Sequence, residues 1–172
     1  MVVNSFRMTV HKPVLLKESI EALKLESGDV VVDATLGGGG HSREILKRIL
    51  PDGILVAIDA DREAIERFES ENKKLKAEGK IILINDNFAN LDNILSDLTL
   101  LKRGSAKAEG VKKVDAILAD FGISSDQLEK ADRGFSFQKD ASLDMRMDQR
   151  EGMTAADVVN TYPEIELARK IS

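Results

Sequence analysis

Four consecutive glycines, Gly37 to Gly40, stand directly behind a short apolar run, Val30-Val31-Val32, that closes on Asp33-Ala34. A strand that ends in glycines and opens a helix can hold a ligand. Glycine reaches positive φ and lets a ligand approach the backbone, and the free N–H groups at the helix start attract anionic groups. The plain alternative is a glycine-rich turn with no ligand. A phosphate-binding loop needs Gly-Lys-Ser/Thr after the glycines; here Gly40 is followed by His41-Ser42, so that chemistry is excluded. A dinucleotide fingerprint, G-x-G-x-x-G, is matched by Gly37 and Gly39 but has Ser42 in its third place. Asp59 closes the next apolar run, where a carboxylate can accept both ribose hydroxyls of an adenosine. NAD and S-adenosylmethionine satisfy that acid equally, and a solvated loop acid is the plain alternative. Asp33, Asp59, Asp86 and Asp120 all fall at predicted strand ends. Such a field suits a cationic sulfonium better than a diphosphate. Phe88, just past the third run, can stack on adenine or pack in the core.

These residues need a scaffold, and the hydrophobic pattern supplies one. The continuously apolar runs at 30–34, 54–58, 81–84 and 115–119 read as strands covered on both faces. Helical patterns at 42–50, 62–77 and 91–101 alternate with them, and a short amphipathic helix at 14–25 precedes them. This alternation predicts right-handed βαβ units, a parallel sheet and an α/β, Rossmann-like fold. In such a sheet, ligands lie beyond the carboxyl ends of the strands. Residues 102–113 read as a basic loop. Beyond Gln127 no strand is predicted; residues 154–159, capped by Thr154 or Asp157, and 164–171, started by Pro163, read as helices.

Composition limits the alternatives. The 172 residues suffice for one domain with a core, or one domain and a small appendage. The apolar share is 42% and the charged share 32%, values of an ordinary globular chain. No run of about 18 apolar residues occurs, and the N-terminus lacks the apolar stretch of a secretory signal. Cysteine is absent, which excludes disulfides and thiolate metal sites and suits a cytoplasmic location. No metal is called for: His11 and His41 are the only histidines, and Asp140, Asp144 and Asp148 read as a solvated face. The net charge of −5 offers no general basic footprint for nucleic acid. The basic groups Lys73, Lys74, Lys76, Lys80 and Lys102, Arg103, Lys107, Lys112, Lys113 read as solvated faces.

Several segments carry a family likeness. His11-Lys12-Pro13-Val14-Leu15-Leu16-Lys17-Glu18, the run from Asp33 to Ser42, the run from Asp120 to Leu128, Arg133-Gly134-Phe135-Ser136-Phe137 and Leu143-Asp144-Met145-Arg146-Met147 resemble the MraW family, the ribosomal RNA small-subunit methyltransferase H group. The resemblance implies a class I methyltransferase sheet, incomplete here, with residues 1–128 as the cofactor-binding half and 129–172 as the beginning of an inserted helical domain. It implies S-adenosylmethionine as cofactor and N4-methylation of a cytosine in small-subunit (16S) ribosomal RNA. By motif position it implies cofactor contacts from Gly39, Gly40, His41, Asp59, Phe88, Asp120 and Gln127. Phe121 and Asp126 depart from the usual leucine and proline of the fourth-strand motif; the first enlarges an apolar side chain and the second removes a rigid turn. Family members run well past residue 172, so the chain is expected to be an N-terminal portion.

For methyl transfer to a cytosine amine, Asp120 is the first candidate to shape the reacting site, with Ser124 and Ser125 behind it. The base must be unpaired or flipped to enter. Phe135 and Phe137 read as core before RNA stacking; Arg133 and Arg146 read as phosphate contacts or surface ion pairs. The expected partner is small-subunit ribosomal RNA or the assembled small subunit, with dimerisation or association with the absent C-terminal part, and no membrane. The rival readings are a non-catalytic S-adenosylmethionine-binding module and an NAD-dependent oxidoreductase.

Overall fold

A computed structural model describes residues 13, 15–100, 114–123, 125–150 and 152–171. The elements are α1 (Leu16–Ala22), β1 (Val30–Asp33), α2 (Gly40–Ile49), β2 (Ile54–Ile58), α3 (Arg62–Glu71), α4 (Lys73–Ala77), β3 (Ile81–Ile84), α5 (Leu91–Leu100), β4 (Ala116–Leu118), α6 (Ser125–Glu129), α7 (Ala155–Thr161) and α8 (Glu164–Ile171). The four strands form one parallel sheet in the order β3-β2-β1-β4, with Val32 opposite both Val56 and Ile117. This is the inner order of a Rossmann-like doubly wound sheet, with the strand order reversing at β1.

Alternation along the strands divides the core into two layers. Val31, Leu55, Ala57 and Ile81 face α2 and α3 and pack with Ile45, Leu46, Ile49, Ile65 and Phe68. Val32, Ile54, Val56 and Ile58 face the other way and pack against Ile94, with Leu91 and Leu95 partly buried beside it. The central strand β2 is buried at all five positions, as a strand covered on both faces must be. β4 is the edge of the sheet among the described residues, and Ile117 on it is 46% exposed.

Local chemistry explains where the helices begin and stop. Asp61 caps α3 by accepting the Glu63 N–H at 3.0 Å. The expected single helix over 62–77 breaks at Asn72, whose side-chain amide donates to the Phe68 carbonyl, so that α4 starts afresh. Thr154 and Asp157 share one capping box at the start of α7, so both expected caps take part. Helix α2 starts two residues earlier than the apolar pattern indicates, because Gly39 takes φ +73° and Gly40 already has helical geometry. On α4, Lys74 and Lys76 pair with Glu78 and Glu69, in keeping with a solvated face. The basic stretch at 102–113 lies outside the described residues.

Candidate active site

The four strand ends and the segment after α6 surround an open cleft of about 270 Å³. Residues 34–38 with Gly40 and His41 come from the β1 end, Asp59 and Ala60 from β2, Asn87 and Phe88 from β3, and residues 120–123 from β4. Pro13, Gln127 and Met147 complete the wall.

The glycine turn has a distinct task for Gly39. Its N–H donates to the Leu36 carbonyl at 2.7 Å, and a Cβ there would lie 2.6 Å from the Phe68 ring. Gly39 therefore faces the core, and Gly37, Gly38 and Gly40 form the cleft wall. Asp59 is held from both sides: one oxygen accepts the Gly37 N–H at 2.7 Å and the other the Asp61 N–H at 2.8 Å. Each oxygen retains acceptor capacity. Burial raises the Asp59 pKa, and the two backbone hydrogen bonds oppose that rise.

Of the four strand-end acids, only Asp59 and Asp120 reach the cleft. Asp86 turns back to accept from Asn87 N–H and the Asn90 amide. Asp33 is fully buried beneath α2, accepting the Ser42 hydroxyl at 2.6 Å and the Thr35 N–H at 3.2 Å. Ser42, the residue that breaks the dinucleotide fingerprint, thus ties the end of β1 to helix α2, a role the motif comparison missed. An acid closing a strand with a hydroxyl nine residues later, one helical turn in, was the available signal.

Burial is the first cause that raises the Asp33 pKa above 3.8, and it outweighs the hydrogen bonds and His41, which lower it. A folded-state pKa above the unfolded one favours the protonated acid in the fold. That contribution is present below the unfolded value and is lost as pH rises through the folded value. Asp33→Asn removes the ionisation and keeps an acceptor. Its stability relative to the unaltered chain is therefore expected to improve steadily from acid to neutral pH in urea unfolding. A pH-independent difference would remove Asp33 from this account.

His41 lies in the first turn of α2, only 6% exposed, with Nδ1 3.8 Å from a carboxylate oxygen of Asp120. Its Nε2 is buried and has no hydrogen-bond partner among the described residues. Asp120 is anchored through its own N–H, which donates to the Thr35 hydroxyl at 2.7 Å. Ser124 lies outside the described residues, as does the side chain of Ser125, which opens α6. Phe88 and Phe121 meet on the cleft wall, their ring centroids 5.2 Å apart at 56°. Phe121, read above only as an enlarged apolar residue, is 70% exposed there.

Downstream, Gln127 lines the cleft and donates to an Asp61 oxygen at 3.3 Å. Arg133 is neither a phosphate contact nor a surface pair: it is 3% exposed and donates to Asp61 at 3.0 Å. Arg146 pairs through two nitrogens with Asp144, holding that carboxyl down to about 2. Phe135 is buried, as expected of a core residue, whereas Phe137 is fully exposed and contributes nothing to the core. The chain turns just before Phe135 at Gly134, φ +71°, where a Cβ would meet the Ser142 carbonyl at 2.5 Å. Among the described residues no three histidine or acidic side chains group to hold a metal ion.

An open parallel sheet with a glycine turn, a carboxylate at the neighbouring strand end and an aromatic wall has the form of a ligand-binding α/β protein. The chain belongs to the MraW methylase family, whose sequence profile residues 8–172 match. It is 45% identical to the ribosomal RNA small subunit methyltransferase H of Christiangramia forsetii over 162 residues, 94% of this chain and 48% of that protein. It is also 45% identical to the same-named protein of Lachnospira eligens over 161 residues, 94% of this chain and 47% of that one. The chain therefore spans about half the length of the curated relatives it matches. Among solved structures, a SAM-dependent O-methyltransferase of Thermotoga maritima aligns with TM-score 0.46 and 18% identity, over 66% of this chain and 38% of that one. No helix among the described residues is long and apolar enough to cross a membrane.

Proposed function

We propose that the cleft binds S-adenosylmethionine and that the chain supplies the cofactor half of an enzyme that methylates the N4 amine of a cytosine in small-subunit ribosomal RNA. The observation that carries this reading is the charge of the cleft: its wall has two carboxylates, Asp59 and Asp120, and no lysine or arginine among the described residues. A diphosphate would meet uncompensated repulsion there, while a sulfonium gains from the same field. That disfavours NAD. Asp59 suits the ribose, the glycine turn the backbone approach, and Phe88 the adenine. Residues 129–172 would begin a helical domain that meets the RNA.

The cofactor supplies an electrophilic methyl group. The chain's part is orientation and charge. An N4 amine has its lone pair delocalised into the ring, so alignment contributes most. Asp120, half-exposed beside the cleft, would accept from the amine and stabilise its developing positive charge. The base would enter unpaired. The ribosomal RNA target implies a cytoplasmic place of work.

Among the described residues β4 has no partner strand on its outer edge, which supports association with a second copy or with the C-terminal half that the relatives carry. An unpaired strand edge recruits another chain. The isolated 172-residue chain is thus expected to bind cofactor yet transfer methyl groups poorly. Calorimetry with S-adenosylhomocysteine and NAD, a methyl-transfer assay on unmodified small subunits, and light scattering test these points together. Binding of NAD without S-adenosylhomocysteine would overturn the cofactor reading. Efficient turnover by a monomer would overturn the need for a partner.

A further inference from the structure

Arg133 stands outside the cleft wall, yet its guanidinium joins the two sides of it. One nitrogen donates to Asp61 Oδ2 at 3.0 Å; the other donates to the carbonyls of Arg146 and Met147 at 3.1 and 2.9 Å. Asp61 is a junction in turn. Its Oδ1 caps α3, its Oδ2 takes Arg133 and Gln127, and its backbone N–H donates to Asp59 Oδ1. We infer that Arg133 is a positioning residue for the cofactor cleft: by clamping Asp61 it aims the Asp61 N–H that holds the Asp59 carboxylate, and by the same fork it holds Met147 on the opposite wall.

Only a planar fork fits this arrangement, because one carboxylate and two carbonyls are engaged from different nitrogens. The pair is buried, so a neutral residue at 133 leaves the Asp61 carboxylate short of its cation and drives it to move. Asp59 then loses one of the two donors that fix its plane. The inference rests on the cofactor reading above in assigning a ligand to Asp59, but the clamp itself is a matter of protein contacts.

The test is a double-mutant cycle on the 172-residue chain, read by calorimetry with S-adenosylhomocysteine. R133M is expected to weaken binding about tenfold when Asp59 is present and less than about twofold in the D59A background. R133K, which keeps a charge at Asp61 but not the fork, should lie nearer the unaltered chain. If R133M does not fold, R133K and R133K/D59A carry the cycle. An equal loss in both backgrounds would make Arg133 a general packing residue, and no loss in either would give it no role at the cleft. A ligand-free readout separates the clamp from the cofactor reading. Carbon NMR of the Asp59 carboxyl should show it titrating higher in R133M, since the Asp61 hydrogen bond lowers its pKa. An unchanged titration overturns the inference even if S-adenosylhomocysteine binds. Failure of the unaltered chain to bind S-adenosylhomocysteine, with the titration moved, overturns the cofactor reading alone.

Discussion

Alanine in place of Asp59 is expected to weaken S-adenosylhomocysteine binding by about 1–3 kcal/mol, the range for hydrogen bonds to a charged group. Both oxygens already accept a backbone N–H, from Gly37 and from Asp61, so the carboxylate cannot swing away from the cleft. A ligand hydroxyl pair meets acceptors already in place, and little ordering entropy opposes binding. Stability should fall as well, because alanine leaves the Gly37 and Asp61 N–H groups without their acceptor, a loss offset in part by the burial that penalises the ionised form. Asparagine is no neutral substitute. Its amide nitrogen would face one of the two backbone donors, so Asp59→Asn should also lose affinity. Calorimetry decides the point, and unchanged affinity for either variant would remove Asp59 from the ribose role.

Gly39→Ala is expected to destabilise the fold through the turn. A left-handed residue other than glycine costs about 1–2 kcal/mol. The added Cβ would also stand 2.6 Å from the ring of Phe68, which is buried in the core with no room to retreat. Overpacking of that kind costs about 1–3 kcal/mol. Urea unfolding should show a combined loss of about 2–5 kcal/mol. Binding should fall too, because the turn carries Gly37, the donor to Asp59. A loss below about 1 kcal/mol would mean that the turn and the Phe68 ring can move apart, against this account.

The strands were legible because their apolar runs are continuous and each is followed by a glycine, proline or polar stop. The helical partners were legible from spacing, apart from the break at Asn72, which depends on one side-chain amide taking a carbonyl that no pattern reveals. The acids at the cleft were half legible. Position along the sheet decides whether an acid meets ligand or core: Asp33 lies level with Ala57, so Asp59 stands two positions further out. Asp33 is the last residue of β1 and turns under α2; Asp59 is one residue beyond β2 and faces the cleft. Strand ends cannot be read from sequence to that precision. The Arg133 clamp was invisible for another reason. Its partner lies 72 residues away, and an arginine in a polar stretch carries no sign that it will be buried.

The pairing of β4 with β1 has a consequence for the order of assembly. β1, β2 and β3 meet their neighbours after short excursions of chain, whereas Ile117 reaches Val32 only by closing a loop of 85 residues. Closing long loops costs more chain entropy, and such contacts form late. Asp120 and Phe121 follow directly on β4, so the second wall of the cleft exists only once that closure is made. A ligand touching both walls would therefore act on the folding equilibrium at that closure, binding the closed state and drawing the population away from forms in which β4 is undocked.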